Sequence, residues 1–141
     1  MANQSTSKIR VLLADDHRRI HETVSQILGT DSGIYLAGQA HNGQEAIDLC
    51  ATVQPDIVLM DVVMPLMDGV AATTRIRAAY PDIRVLVLSS FSDNESVEMM
   101  LRSGAQGYLL KGDLVKDLLP TLYSTYADQA VFSKEIIDHL S

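Results

Sequence analysis

Residues 57–69 read IVLMDVVMPLMDG. The run Ile57 to Met60 is apolar throughout, without the polar alternation of a strand that has one wet face. It describes a strand buried on both sides, the kind found in parallel sheets whose crossovers are helices. Pro55 stops whatever helix precedes the run, and Asp68-Gly69 behind it is a turn signal. One carboxylate, Asp61, interrupts the apolar pattern at the point where the strand stops.

The rest of the chain repeats this alternation. Ile9 to Ala14 reads as a first strand, followed by a helical stripe of Ile20, Val24, Ile27 and Leu28. Ile34 to Gly38 is a second strand, and Asn42-Gly43 opens a helix carrying Ala46, Ile47, Cys50 and Val53. Gly69 to Tyr80 reads as a helix ended by Pro81, and Arg84 to Leu88 as a fourth strand. Asn94 to Ser103 is a fourth helix and Tyr108 to Leu110 a short fifth strand. A fifth helix from Asp113 to Ala127 carries Leu114, Leu118, Leu122 and Tyr126 every four residues. Five rounds of strand then helix predict an α/β fold, a doubly wound five-stranded parallel sheet with helices on both faces. The flavodoxin-like order 2-1-3-4-5 is the common arrangement for such a chain, and it sets strands 1 and 3 side by side.

The bulk numbers restrict the function classes. With 141 residues the chain suits one compact domain. Residues 1–8 (MANQSTSK) read as a polar tail, 9–127 as the domain, and 128–141 as an extension. No apolar stretch approaches the ~20 residues of a membrane span. A single cysteine, Cys50, cannot form an internal disulfide, suits a reducing cytoplasm, and sits where core residues are expected. The formal net charge of −7 and the scattered Lys and Arg exclude direct nucleic-acid binding by this chain.

Ligands of a doubly wound sheet bind beyond the carboxyl ends of the strands. Strand 1 ends in Asp15-Asp16, strand 3 in Asp61, strand 4 in Ser89-Ser90 and strand 5 in Lys111. Each residue alone has a plainer use. Asp15 or Asp16 could cap the first helix, Ser89 could satisfy a strand end, and Lys111 could sit in solvent or pair with Asp61. Capping does not require polar groups at the same end of four strands, so the combination points to a site. Clustered carboxylates need an offsetting charge, which a hard divalent cation such as Mg2+ supplies through oxygen ligands. Such a pocket suits a phosphoryl group, and an Asp carboxylate is a known nucleophile for it.

Asp15-Asp16, the LMDVVMPLMDG segment, Ser89 and GYLLK ending at Lys111 together resemble the receiver domain of bacterial two-component response regulators. The likeness runs from Ile9 to Tyr126. DDH at 15–17 and SGAQGYLLKG at 103–112 are most similar to receivers that precede a LuxR/NarL-type helix-turn-helix domain. The resemblance implies that Asp61 is the phosphoacceptor, with Mg2+ held by Asp16, Asp61 and the Val63 carbonyl, and by Asp15 through water. It implies that Lys111 and Ser89 contact phosphoryl oxygens and that Tyr108 is the aromatic that moves with Ser89. Pro65 and the Asp68-Gly69 turn would shape the loop after Asp61. The implied partner is a sensor histidine kinase or phosphotransfer protein. The implied output is a switch of the surface formed by helix 4, strand 5 and helix 5, acting on transcription through a DNA-binding domain outside this chain. Leu114, Leu118 and Leu122 are candidates for a homodimer or output contact. Gly112 stands where many members of that family have proline, and Arg18-Arg19 beside the acids could lean over the site.

Three rival functions are weighed by motif. A Mg2+-dependent phosphohydrolase would place a second Asp where this chain has Val63. A nucleotide-binding module would need a glycine-rich phosphate loop, and neither common form is present. A receiver-like scaffold that is never phosphorylated would not need the full acidic set.

Overall fold

A computed structural model describes residues 8–64, 67–90, 94–129 and 131–132. The strands are β1 (Ile9–Ala14), β2 (Ile34–Ala40), β3 (Ile57–Asp61), β4 (Arg84–Ser89), β5 (Gly107–Leu110) and β6 (Val131–Phe132). The helices are α1 (Arg18–Leu28), α2 (Gly43–Val53), α3 (Gly69–Ala79), α4 (Asn94–Arg102) and α5 (Leu114–Tyr126). All strand pairs are parallel, in the order β2-β1-β3-β4-β5-β6. The expected five-stranded order 2-1-3-4-5 is therefore present, with a sixth strand added at its edge. Val131–Phe132, from the expected extension, adds a short edge strand beside β5.

The apolar strands are explained by two cores. Leu12, Ala14, Val58, Met60, Val85 and Val87 face α2, α3 and α4, where they meet Cys50, Ala72, Ile76 and Met100. The alternate residues Val11, Leu13, Ile57, Leu59, Leu86 and Leu88 face α1 and α5, where they meet Val24, Leu28, Leu114, Leu118 and Leu122. Successive side chains point to opposite faces, so a strand covered on both sides must be apolar at every position. Cys50 is buried and free, as expected for core filler.

Local chemistry sets the helix starts beside the site. Asn42 caps α2 by accepting the Glu45 N–H at 2.9 Å, and the Glu45 carboxylate accepts the His41 N–H at 2.8 Å. Asp68 caps α3 by accepting the Ala71 N–H at 2.9 Å. α2 ends at Gln54, whose left-handed backbone (φ 50°) turns the chain into Pro55. α5 continues through Pro120, whose side is exposed.

Leu114, Leu118 and Leu122 are 3%, 0% and 0% exposed, which corrects their candidacy as interface residues. They belong to the core against β3, β4 and β5, and a buried side chain cannot meet a partner. The apolar surface of α5 is carried instead by Val115, Tyr123 and Tyr126.

Candidate functional site

The carboxyl ends of β1, β3, β4 and β5 bring the expected residues together. Asp15 follows β1, Asp61 is the last residue of β3, Ser89 the last of β4, and Lys111 follows β5. In register, Asp61 pairs with Leu88 and Ser89 with Leu110, which sets Ser89 between the phosphoacceptor candidate and the lysine. Asp15, Asp61 and Ser89 are almost completely buried, while Asp16 is exposed at the rim.

Lys111 Nζ lies 3.1 Å from Asp15 Oδ2 and 3.4 Å from Asp61 Oδ1. The first contact is close enough for ionic attraction but is not aligned as a hydrogen bond. One ammonium therefore stands between two buried carboxylates. Burial, followed by repulsion from Asp15, pushes the Asp61 carboxyl up to about 6. The Lys111 charge and the Val63 N–H act in the opposite direction. Asp61 Oδ2 is buried and has no hydrogen-bond partner among the described residues. An orphaned carboxylate oxygen beside a second acid is what a cation or an incoming phosphorus would satisfy. The residues present thus fit a hard divalent ion.

The loops hold these groups in place. Asp15 Oδ1 accepts the His17 N–H at 2.7 Å, and the Asp15 carbonyl accepts His21 Nε2–H at 2.7 Å. His21 is buried, reaches Gln39 through Nδ1 at 2.8 Å and stacks on His41. Asp15 therefore braces the turn without capping α1, whose N-cap residue is His17. After Asp61 the chain returns so closely that the Gly69 N–H donates to the Val62 carbonyl at 2.8 Å. A Cβ on Gly69 would overlap the Asp61 main-chain oxygen, so the Asp-Gly turn requires its glycine. Val63 is exposed on this loop. Pro65 lies outside the described residues.

Other expectations sort as follows. Tyr108 is 1% exposed and packs in the core formed with α2, α3 and α4. Arg18 turns to solvent and pairs with Glu22 at 3.5 Å, away from the acids. Among the described residues no peptide bond is cis, so Lys111–Gly112 is trans. One residue of the cluster went unread in the sequence. The His17 Nδ1 lies 3.1 Å from Asp15 Oδ1 and 3.2 Å from Asp16 Oδ1. Its place in the quoted DDH triplet was visible, but the direction of its ring was not.

The response regulator receiver domain model matches residues 11–122. This chain is a member of that family. As a receiver domain it belongs to two-component signalling. It is 38% identical over 129 residues to the response regulator protein VraR of Staphylococcus aureus, a match that covers 92% of this chain and 62% of VraR. The chain thus spans less than two thirds of that relative's length. A LuxR-family response regulator from an Aurantimonas species is 26% identical with a TM-score of 0.89, covering 95% of this chain and 96% of that one. The signal receiver domain of the NarL response regulator from Mycobacterium tuberculosis is 32% identical with a TM-score of 0.74, covering 82% and 97%. These relatives agree with a LuxR/NarL-type receiver. Receiver domains bind Mg2+ at the acidic pocket, and the Asp15, Asp16 and Asp61 cluster here could hold such an ion. Among the described residues, no helix is long and apolar enough to cross a membrane.

Proposed function

We propose that Asp61 accepts a phosphoryl group from a phosphohistidine on a sensor histidine kinase or phosphotransfer protein. The observation that carries this reading is the buried, partnerless Asp61 Oδ2 with Lys111 Nζ 3.4 Å from the other oxygen of the same carboxylate. A carboxylate oxygen attacks phosphorus, the P–N bond of the donor breaks, and the histidine leaves as an acyl phosphate forms on Asp61. Lys111 offsets charge on the phosphoryl oxygens, and Ser89 supplies a hydroxyl beside them. Asp16, Asp61 and the Val63 carbonyl would hold Mg2+, with Asp15 acting through water; the ion supplies further charge neutralisation.

The signal then leaves through the surface of α4, β5 and α5. Drawing Ser89 toward the phosphoryl group alters the packing next to Tyr108, which lies two residues before Leu110, the partner of Ser89 on β5, and shifts the balance between two states of that face. A homodimer contact on α5 would involve Val115, Tyr123 and Tyr126, the exposed large hydrophobic residues of the helix. The segment from Asp128 onward leads to an output, and transcription through a separate DNA-binding domain is the output that suits the LuxR-type likeness.

The test is incubation with Mg2+ and acetyl phosphate, followed by intact mass. One added phosphoryl group in the wild type, absent without Mg2+ and absent in Asp61→Asn, is the expected result. No adduct under any condition would leave a receiver-like scaffold, and steady release of phosphate from unrelated esters would indicate a phosphohydrolase.

A further inference from the structure

The imidazole of His17 lies against the acidic crevice and takes no part in the proposed transfer. Asp15, Asp16, His17 and Asp61 each offer one donor atom, and the four atoms lie within 4.8 Å of one another. Adjacent ligands of an octahedral ion, each ~2.1 Å from the metal, stand ~3.0 Å apart. The His17 edge to Asp16 Oδ1, 3.2 Å, has that spacing, and because the set spreads to 4.8 Å, wider than the ~4.2 Å across such an ion, a carboxylate closes in when the ion binds.

A hydrogen bond from the ring to Asp15 Oδ1, 3.1 Å away, is the plainer explanation of where it lies. That oxygen already accepts the His17 main-chain N–H at 2.7 Å, so the ring is not needed to satisfy it. The ring is also 63% exposed, free to be hydrated on its own, yet it lies over the acids. A second observation points to a ligand. Asp61 Oδ2 lacks a hydrogen-bond partner among the described residues, on a side chain only 5% exposed, and Asp15 Oδ2 meets only the Lys111 ammonium, at 3.1 Å and without hydrogen-bond alignment.

We infer that His17 is a metal ligand that turns this pocket into a mixed oxygen and nitrogen site, selective for first-row transition ions such as Co2+ over Mg2+. The inference rests on the proposed reading of the acidic turn as a cation pocket. Imidazole nitrogen suits transition ions, whereas Mg2+ holds to oxygen and keeps its waters. His17 therefore adds little for Mg2+ and strengthens binding of the softer ions, so metal availability would decide which ion fills the pocket.

The experiment compares Co2+ and Mg2+ affinities by calorimetry in the wild type, His17→Ala and His17→Asn, the last retaining a good helix N-cap. The Co2+ preference over Mg2+ should fall at least tenfold in both variants. Pulsed electron paramagnetic resonance of the Mn2+-loaded wild type should show a directly bound imidazole nitrogen that both variants lose. An unchanged preference, or no nitrogen signal in the wild type, overturns the role of His17. Asp16→Asn and Asp61→Asn separate the two levels: if both still bind Co2+ and Mg2+ as the wild type does, the cation-pocket reading itself falls, and with it the inference.

Discussion

Lys111 Nζ stands 3.4 Å from Asp61 Oδ1 and 3.1 Å from Asp15 Oδ2, a single ammonium set between two buried carboxylates. One positive charge cannot neutralise both, and the shortfall appears at Asp61, whose carboxyl is raised from 3.8 to about 6 by burial and by Asp15. The pocket is therefore electrostatically incomplete until a cation or a phosphoryl-directed positive group completes it.

That shortfall makes stability depend on pH. A carboxyl raised in the folded state favours its protonated form there, so stability falls as pH rises from 3.8 through about 6. With a chelator present, Asp61→Asn should be more stable than the wild type at pH 8 by about 2–3 kcal/mol, falling to about half of that at pH 5. Urea unfolding at the two pH values measures the difference. A wild type more stable than Asp61→Asn at pH 8 without metal would contradict the raised carboxyl.

Adding the cation should largely cancel this difference. Mg2+ at one hundred times its dissociation constant stabilises a folded protein that binds it by about 2.7 kcal/mol. The wild type should gain on that scale as Mg2+ replaces chelator, and Asp61→Asn much less. Equal gains in both proteins would mean that the ion binds away from β3.

The turn after Asp61 is under the tightest steric limit in the site. A methyl group on Gly69 meets the Asp61 carbonyl oxygen, so the backbone bearing the phosphoacceptor candidate must move. Gly69→Ala should destabilise by about 1–3 kcal/mol and slow phosphoryl uptake from acetyl phosphate more than the lost stability alone explains. Denaturant titration and uptake rate, measured on one preparation, check both. An unchanged uptake rate would show that the turn does not position Asp61.

Cys50 is fully buried between α2 and the sheet, and burial pushes its thiol up to about 11. Only the thiolate reacts, so alkylation by iodoacetamide at pH 8 should be at least ~100-fold slower in the folded protein than in urea. Equal rates would place Cys50 at the surface.

Much of this molecule was readable before any coordinates. The α2 and α3 spans fall within one residue of their expected ends because Asn42, Pro55, Asp68 and Pro81 act locally on the backbone, and α4 and α5 agree as closely. The candidate site residues stood out because a carboxylate that ends an apolar strand contrasts with its neighbours. What failed was information carried by tertiary placement. Leu114, Leu118 and Leu122 form one stripe with Leu119, and only the position of α5 against β3, β4 and β5 decides which members are buried. Val131–Phe132 is too short to carry a period, and it becomes a strand only because β5 offers an open edge. The inward direction of the His17 ring follows from the backbone turn before α1 (φ −99°, ψ 117°), which residue identity does not encode.

The most direct measurement is the position of the phosphoryl group. The protein is treated with acetyl phosphate and Mg2+, trapped by borohydride reduction of the acyl phosphate, digested and sequenced by mass. Reductive conversion at Asp61 alone is the predicted outcome. Conversion at another aspartate with Asp61 unmodified would contradict the account at its centre.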